Sequence, residues 1–569
     1  MTIASLQEKV AELAKRRGFF WQAYEAYGGV GGLMSMGPLG TVLRNNIEEK
    51  WRETFVRQQG FMEIDTPILT PEKVFLASGH VDNFKEPMVE CKNCRRKFRA
   101  DHVLQEQANI EATETEKMNL PDIDNKIVDK MIMCPECGGE FGKTTHFMTM
   151  FRTTIGPYSE EIGYMRPEAA QGMFVEFKRL SEFAREKVPL GVAQIGRVMR
   201  NEISPRQGPI RLREFTIMEV ELFFDPENPA CPRIGEVKDE LLQLIPEGLR
   251  KTDKEETLIL TVSEALEKRL IKTEWQAYFM ALSKRLLREL GVPADRQRFI
   301  EKLPWERAHY STQGYDQEVL LERWGWVEVS GHNYRGDYDL SRHISSSKMD
   351  LRVFKATPPR TKEVVYLKPK ANKLRETFGD QTSEVLALLG KADAQLVDQA
   401  LKEKGRYDLQ SFEILTSHVE IIRRKETESG TRFVPHVVEP SFGADRMVYA
   451  VLEHAFGEKE DRTVLKLPKD VAPIQVMIFP LMNKDGLKEK ALGIHQTLLG
   501  NGLRVEYDES GSIGRRYARA DEIGVPLAVT VDYQSLEDDT VTIRDRDTWE
   551  QVRKEIWQLP QYLRDCLRG

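Results

Sequence analysis

Two short stretches of this sequence carry the residue types that hold phosphate. Arg200-Asn201-Glu202 leads into a turn-rich segment with two prolines, 203–209, and Ile210-Arg211-Leu212-Arg213-Glu214-Phe215 follows it. Proline-rich turns between two runs of strand character predict a strand–loop–strand unit, with Arg200 entering the loop and Arg211 leaving it. Guanidinium forks suit the oxygens of one anion. Phe215 offers a flat face to a nucleobase, and Glu202 offers an acceptor for an exocyclic amino group. By themselves these residues equally describe the charged tip of a surface hairpin. The second stretch, Glu439-Pro440-Ser441-Phe442-Gly443-Ala444-Asp445-Arg446, favours a ligand. A strand-like run, 433–438, feeds a turn whose Gly443 lets backbone come close to a ligand. Arg446 then falls in the first turn of an apolar helix, where anions are favoured. Neither GxxxxGK[ST] nor a GxGxxG after a strand occurs, so phosphate handling rests on arginines and metal.

Cys91-Lys92-Asn93-Cys94 and Cys134-Pro135-Glu136-Cys137-Gly138-Gly139 form two knuckles. Each CxxC turn aims two thiolates at one point, and two turns complete a tetrahedral site for a structural Zn2+ with no open position. Two unrelated buried cysteine pairs are the alternative. Cys231 and Cys566 stand alone.

The elements that position these residues follow from periodicity. In Phe215 to Leu222, strand parity puts Thr216, Met218, Val220 and Leu222 toward a core and Phe215, Glu219 and Glu221 on the opposite face, where acids require water, a ligand or a partner. A helix over Ile47–Arg57 runs into a strand at Gly60–Pro67. Expected domains are a catalytic core in four pieces (1–90, 146–225, 326–345 and 431–470), a zinc-binding insertion at 91–145, a mostly helical insertion at 226–325, and a third at 346–430. A C-terminal α/β domain covers 471–569. Within it, strands are expected at 474–482, 503–507, 527–531 and 541–543, helices at 487–499 and 513–522, and a last helix from about Trp549.

With 569 residues, 40% hydrophobic and 30% charged, the chain has material for several cores. Its net charge of -7 excludes a globally cationic nucleic-acid coat and leaves room for local basic patches. No apolar run spans a bilayer, and the start MTIASLQEKVAELAKRRGFF lacks a secretory core, so a cytoplasmic protein without membrane attachment is expected.

Gly60–Pro67, Arg200–Phe215 and Glu439–Arg446 resemble motifs 1, 2 and 3 of class II aminoacyl-tRNA synthetases. Arg16-Arg17-Gly18-Phe19-Phe20, Tyr27-Gly28-Gly29-Val30, Gly37-Pro38-Leu39-Gly40, Ser78-Gly79-His80-Val81 and Arg166-Pro167-Glu168-Ala169-Ala170-Gln171-Gly172 resemble the homodimeric, subclass IIa glycyl-tRNA synthetases in particular. The resemblance covers nearly the whole chain and is weakest in the insertions. It implies an α+β fold: a mixed, mostly antiparallel six-stranded sheet flanked by helices, a zinc-ribbon-like insert and a C-terminal anticodon-binding domain. It implies ATP-dependent activation of glycine to glycyl-adenylate, transfer to the 3′ end of tRNA(Gly), Mg2+ as cofactor, and a homodimer.

The roles it implies follow its motifs. Arg200 holds the α-phosphate, Phe215 stacks on adenine, and Arg211 and Arg446 take the outer phosphates. Asn201, Glu202, Ile210, Val329 and Gly443 complete the ATP site, and Glu328 helps hold Mg2+. Glu168, Glu219 and Glu439, with Ser441, receive the glycine ammonium, while Arg335 and Arg99 are candidates for its carboxylate. Arg515, Arg516, Tyr517 and Arg519 are candidates for anticodon contact by charge and stacking. A small pocket rejects larger amino acids by clash, so glycine needs no editing site. For His80 a structural hydrogen bond is expected. The competing readings are another enzyme of the subclass and an inactive synthetase-like RNA-binding subunit. The retained Arg200, Arg211 and Arg446 count against the second.

Overall fold

The computed structural model describes all residues except 1–4, 116, 158–159, 206–207, 252–255, 461 and 569. Arg206 and Gln207, at the tip of the strand–loop–strand unit, therefore lie outside the described residues. The chain forms two compact units, 1–351 with 434–569, and 352–433.

The first unit is built on a nine-stranded sheet. Its strands are β1 (Met62–Glu63), β2 (Leu190–Met199), β3 (Glu214–Phe224), β4 (Leu241–Ile245), β5 (Leu258–Thr261), β6 (Gln297–Glu301), β7 (Gln313–Leu321), β8 (Gly325–Gly336) and β9 (His436–Gly443). Their spatial order is β5-β4-β6-β7-β8-β9-β3-β2-β1. All pairings are antiparallel except β1 with β2 and β4 with β6. The sheet is wider than the six strands the resemblance implies because segment 226–325, expected to be mostly helical, supplies β4 to β7. Leu241–Ile245 and Leu258–Thr261 are short apolar runs, and periodicity cannot separate such runs from buried helix.

Helices α1 (Pro38–Arg52), α3 (Glu274–Glu289) and α5 (Ala444–Ala455) cover one face, while α2 (Ala170–Val175) and α4 (Tyr338–Ser347) lie over the other near β3 and β8. α1 continues as a π turn to Arg57 and carries Leu43, Ile47, Trp51 and Phe55 inward. There Trp51 and Phe55 meet Phe442 of β9 at 6.2 and 4.9 Å between ring centres, aromatic pairs worth about 0.5–1.5 kcal/mol each beyond their area. Met218, Val220 and Leu222 of β3 enter this core as parity predicts, and Thr216 is buried with them. The opposite face of β3 is covered too: Phe223 packs on Phe174 and Phe177. The acids of that face, Glu219 and Glu221, are buried.

The C-terminal part, 474–568, is a five-stranded sheet with its own core of Val476, Ile478, Leu498, Val529, Val541 and Leu563. Strands β10 (Val476–Pro480), β11 (Val505–Tyr507), β12 (Leu527–Val531), β13 (Thr540–Asp545) and β14 (Gln551–Glu555) run in the order β11-β10-β12-β13-β14. Helices α6 (Leu487–Gly500), α7 (Ile513–Glu522) and α8 (Leu559–Arg568) accompany them. The last helix starts ten residues later than expected. Trp549 takes a left-handed φ of 66°, and Gln551–Glu555 pairs with β13 as a charged edge strand.

In the second unit, Val353–Pro369 and Val419–Phe433 form a long antiparallel ribbon. A small core of Leu374, Val385, Leu389, Val397, Leu401 and Ile414 lies within the same unit.

Candidate active site

β3, β9 and β8 lie side by side. Their register sets Glu219 opposite Ser441, Ser441 opposite Gly331, and Glu439 opposite Asn333. Alternation then gathers Glu219, Glu439, Ser441, Asn333 and Arg335 on one face of the sheet. Glu168 is added from the turn before α2. The three glutamates are at most 3% exposed.

Each carboxylate is held. Glu219 accepts from the Ala169 N–H at 2.7 Å and from Ser441 Oγ at 2.9 Å. Glu439 accepts from Arg335 Nη1 at 2.9 Å and Asn333 Nδ2 at 3.1 Å. Glu168 accepts from Gln171 Nε2 at 3.1 Å, Arg335 Nη2 at 3.3 Å and the Tyr310 hydroxyl at 3.1 Å. His80 Nδ1 lies 2.8 Å from Ser78 Oγ, the structural hydrogen bond expected of it, and its Nε2 lies 3.1 Å from Glu168. Burial raises Glu168, but His80 and Arg335 overcome it and hold this carboxyl well below its usual range. Burial and the charge of Glu168 raise Glu219. Burial, opposed by Arg335 and helped by Glu219 and Glu168, pushes Glu439 up to about 8. Carboxylates outnumber cations in this set, since Arg335 reaches Glu168 and Glu439 and, among the described residues, no cation pairs with Glu219.

Arg335 does not face a substrate carboxylate. Its guanidinium is fully buried, donates to Asp339, Glu439 and Glu168, and lies 3.5 Å from the Tyr310 ring centre. It organises the acids and has no fork left for a ligand. Arg99 is also occupied: it pairs with Glu86 at 2.6 Å and Asp101 at 2.5 Å, and it does not line the cleft that holds the glutamates. Both glycine-carboxylate candidates thus face protein acids.

That cleft, about 690 Å³, runs from the glutamates to Arg200, Arg211, Glu328 and Arg446. It continues into a deeper recess lined by Ile210, Leu212, Phe215, Ile217, Val329 and Gly443. Arg200 stands 5.5 Å over the Phe215 ring, anchored by Nε on the Pro167 carbonyl at 3.1 Å. Arg446 donates to the carbonyls of Ile210 and Glu328, each at 2.7 Å, which ties the third motif to the second. Arg211 is folded onto Glu202 at 2.7 Å. The residue expected to accept from an amino group and one of those expected to hold phosphate are therefore paired with each other. A Cβ on Gly443 would meet nothing closer than 3.9 Å, so the glycine leaves open space at the ligand face. Asn201 lines neither recess; its backbone N–H bonds Thr149 at 2.6 Å.

Two acids fit a divalent cation. Asp316 Oδ1 and Glu328 Oε1 each lie within 4 Å of where a Cβ on Gly331 would sit, in the cleft that Arg200 and Arg446 also line, and Asp316 pairs with Lys302 at 3.1 Å. Burial, reinforced by Glu328 and opposed by Lys302, pushes Asp316 up to about 7. Burial also raises Glu328, yet Lys302, Arg446 and Arg200 bring it below its usual value. An oxygen-only donor set of this kind suits Mg2+.

Sequence reasoning did not single out Asp316, Lys302, Asn333, Tyr310 or Asp339. The usable signal was parity: Asp316 and Glu318 alternate with buried Tyr315, Gln317 and Val319 along β7.

The four knuckle cysteines converge. Cys91 and Cys137 sulfurs lie 3.6 Å apart, Cys94 and Cys134 3.7 Å, and all four within 4.8 Å of one another. Tetrahedral Zn–S bonds of about 2.3 Å require S···S spacings of roughly 3.8 Å, so the set fits zinc. A Cβ on Gly139 would press on Asn93 at 2.7 Å and on the Cys91 and Cys137 sulfurs at 3.2 and 3.3 Å. The knuckles cap a core of Val89, Phe98, Val103, Leu104, Ile123 and Ile127.

On α7 the four RNA candidates divide. Arg515 is exposed. Arg516 is buried and donates to the carbonyls of Pro480 and Gly511. Tyr517 bonds Thr530 at 2.6 Å and packs under Arg544. Arg519 pairs with Asp508. The pattern GRRYARADE puts these residues around the helix: Arg516 and Tyr517 turn inward, and Arg519 is half-exposed but paired.

Comparison with known proteins agrees with this geometry. The family profile described as "Anticodon binding domain" matches residues 475–565. A protein named glycine–tRNA ligase from Aeropyrum pernix is 48% identical, over 96% of this chain and 94% of its own length. Proteins of the same name from Methanocaldococcus jannaschii and Thermococcus sibiricus are 44% and 46% identical, over 99% of both chains. Among solved structures, a prolyl-tRNA synthetase from Cryptosporidium parvum shares the fold at a TM-score of 0.52 and 13% identity, covering 100% of this chain and 76% of that one. No helix among the described residues is long and apolar enough to cross a membrane.

Proposed function

The chain belongs to the glycine–tRNA ligase family, and we propose that its cleft joins glycine to ATP as glycyl-adenylate and then passes the glycyl group to the 3′ end of tRNA(Gly). The observation that carries the mechanism is the continuity of the cleft: a trio of buried glutamates at one end, and Arg200, Phe215 and Arg446 at the other.

Glycine presents an ammonium, a carboxylate and no side chain. Glu168, Glu219 and Glu439 take the ammonium, and Ser441 and Tyr310 line the cleft beside them. The glycine carboxylate oxygen attacks the α-phosphorus, a P–O bond forms, and pyrophosphate leaves. Arg200 neutralises the α-phosphate. Arg446 and a freed Arg211 take the outer phosphates, while Phe215 stacks on adenine and Glu202 accepts from its amino group. Mg2+, held by Glu328 with Asp316, would offset charge on the departing pyrophosphate. In the second step the terminal ribose hydroxyl of tRNA attacks the carbonyl carbon, the bond from that carbon to the phosphate oxygen breaks, and AMP leaves with the hydroxyl proton passing to its phosphate. Positioning and charge neutralisation suffice for both steps. The two cysteine knuckles hold a structural zinc that shapes the insert beside Glu86, which contacts Arg211. The C-terminal domain reads the anticodon arm, and the enzyme works as a homodimer. Charging of a tRNA(Gly) transcript with labelled glycine and ATP tests the reading; a protein with intact fold that leaves the transcript uncharged refutes it.

A further inference from the structure

Beneath the amine pocket lies an acid that the reaction above does not use. The register that pairs Glu219 with Ser441 and Leu222 with Val438 places Glu221 directly across from Glu439. Side chains so opposed stand about 4.5–5.5 Å apart at Cβ. Glu221 is 0% exposed, and neither of its carboxylate oxygens meets a hydrogen-bond donor among the described residues. The charged groups that bear on it are Glu439 of β9, Arg335 of β8, Glu219 of its own strand and Asp339 of α4. Arg335 cannot serve it, because Nε, Nη1 and Nη2 already donate to Asp339, Glu439 and Glu168. Bare ionised carboxylates are not tolerated in such surroundings; they take up a proton.

We propose that Glu221 is held as a neutral carboxylic acid behind Glu439, and that this decides which of the two opposed carboxyls ionises when the amine arrives. Glu439, with donors from Arg335 and Asn333, becomes the anion. Glu221, with none, keeps its proton. If Glu221 carried the charge, the proton would settle on Glu439 and the ammonium would lose one of its three anions. Glu221 is thus a positioning residue, acting through Glu439 without lining the cleft. Burial, with the neighbouring Glu439 charge adding to it, drives this carboxyl well above its usual range in support.

The functional part rests on reading the three-glutamate pocket as the amine site, whereas the protonation rests on burial and register alone. Infrared difference spectroscopy on the full-length protein, wild type minus Glu221→Gln at pH 8, reads the protonation. A protonated-carboxyl C=O band that belongs to Glu221 is expected. Glu221→Asp, should the amide variant fold poorly, is expected to shift that band and not to remove it. Thermal melts add a readout that a purely structural role would not move. An acid that keeps its proton in the fold and loses it on unfolding makes stability fall as pH rises above the unfolded value. Glu221→Gln removes that fall and melts higher than wild type at pH 8, with the gain vanishing near pH 4.5. Absence of the band, together with a tenfold or greater rise in glycine KM for Glu221→Gln at unchanged ATP KM, would show an anion and overturn the proposal. A present band in a protein that does not activate glycine would leave the protonation standing and sink only the amine-site reading.

Discussion

Arg335 Nη1 donates to Glu439 Oε1 at 2.9 Å from a site with no solvent exposure, and the same guanidinium reaches Glu168 and Asp339. One cation thus spaces the acids of the proposed amine pocket. Replacing it leaves like charges buried without a partner, which typically costs about 3–5 kcal/mol. Arg335→Ala is expected to lower thermal stability and raise glycine KM far more than ATP KM. Equal effects on the two substrates, measured by steady-state exchange, would contradict this assignment.

Glycine binding should depend on pH. Burial pushes Glu439 up to about 8 when no ammonium is present. An acid raised in the fold favours its protonated form, so its contribution to stability is full below the unfolded value and is lost as pH rises toward 8. The ammonium requires the ionised form, so below about pH 8 each glycine that binds expels a proton, and affinity weakens up to tenfold per pH unit. Calorimetry in buffers of different ionisation enthalpy reads that proton. No proton release at pH 7 would contradict a protonated Glu439 in the empty pocket.

The four-sulfur site should hold one zinc per chain. Cys137→Ser is expected to lose the metal, open the insert around Val89, Phe98 and Leu104, and lower the melting temperature, because metal binding is folding free energy in such small cores. Elemental analysis with limited proteolysis checks both. A wild-type protein without zinc that resists proteolysis equally would contradict it.

Much of the site was legible from residue type and strand parity. Glu219 turns away from the core because β-strands alternate, and Arg200, Phe215 and Arg446 stand where turn and helix signals put them, whereas Glu439 followed from the resemblance and joins Glu219 only through the register of β3 with β9. The state of Arg335 was not legible. Its partner Glu168 is 167 positions away along the chain, and only the packing of α2 and α4 over the sheet brings the two together. Strands β4, β5 and β6 of segment 226–325 were also hidden, since four- and five-residue runs lack a period. On α7, composition could not distinguish exposed Arg515 from inward-turned Arg516 and Tyr517.

That division on α7 gives a paired test. Arg515→Ala removes an exposed cation and should weaken tRNA binding several-fold with no change in melting. Arg516→Ala removes a buried donor to the Pro480 and Gly511 carbonyls, with a cost of about 1–3 kcal/mol for the groups left unsatisfied. It should destabilise the C-terminal domain. Binding isotherms and melts of both variants decide it, and the opposite pattern would reverse the roles.

The central claim is that this cleft is built for an amine with nothing attached to its α-carbon. ATP–pyrophosphate exchange with each of the twenty amino acids tests it most directly. Exchange with glycine and at most trace exchange with alanine is predicted; efficient exchange with alanine, serine or proline, or none with glycine by a folded enzyme, would contradict it.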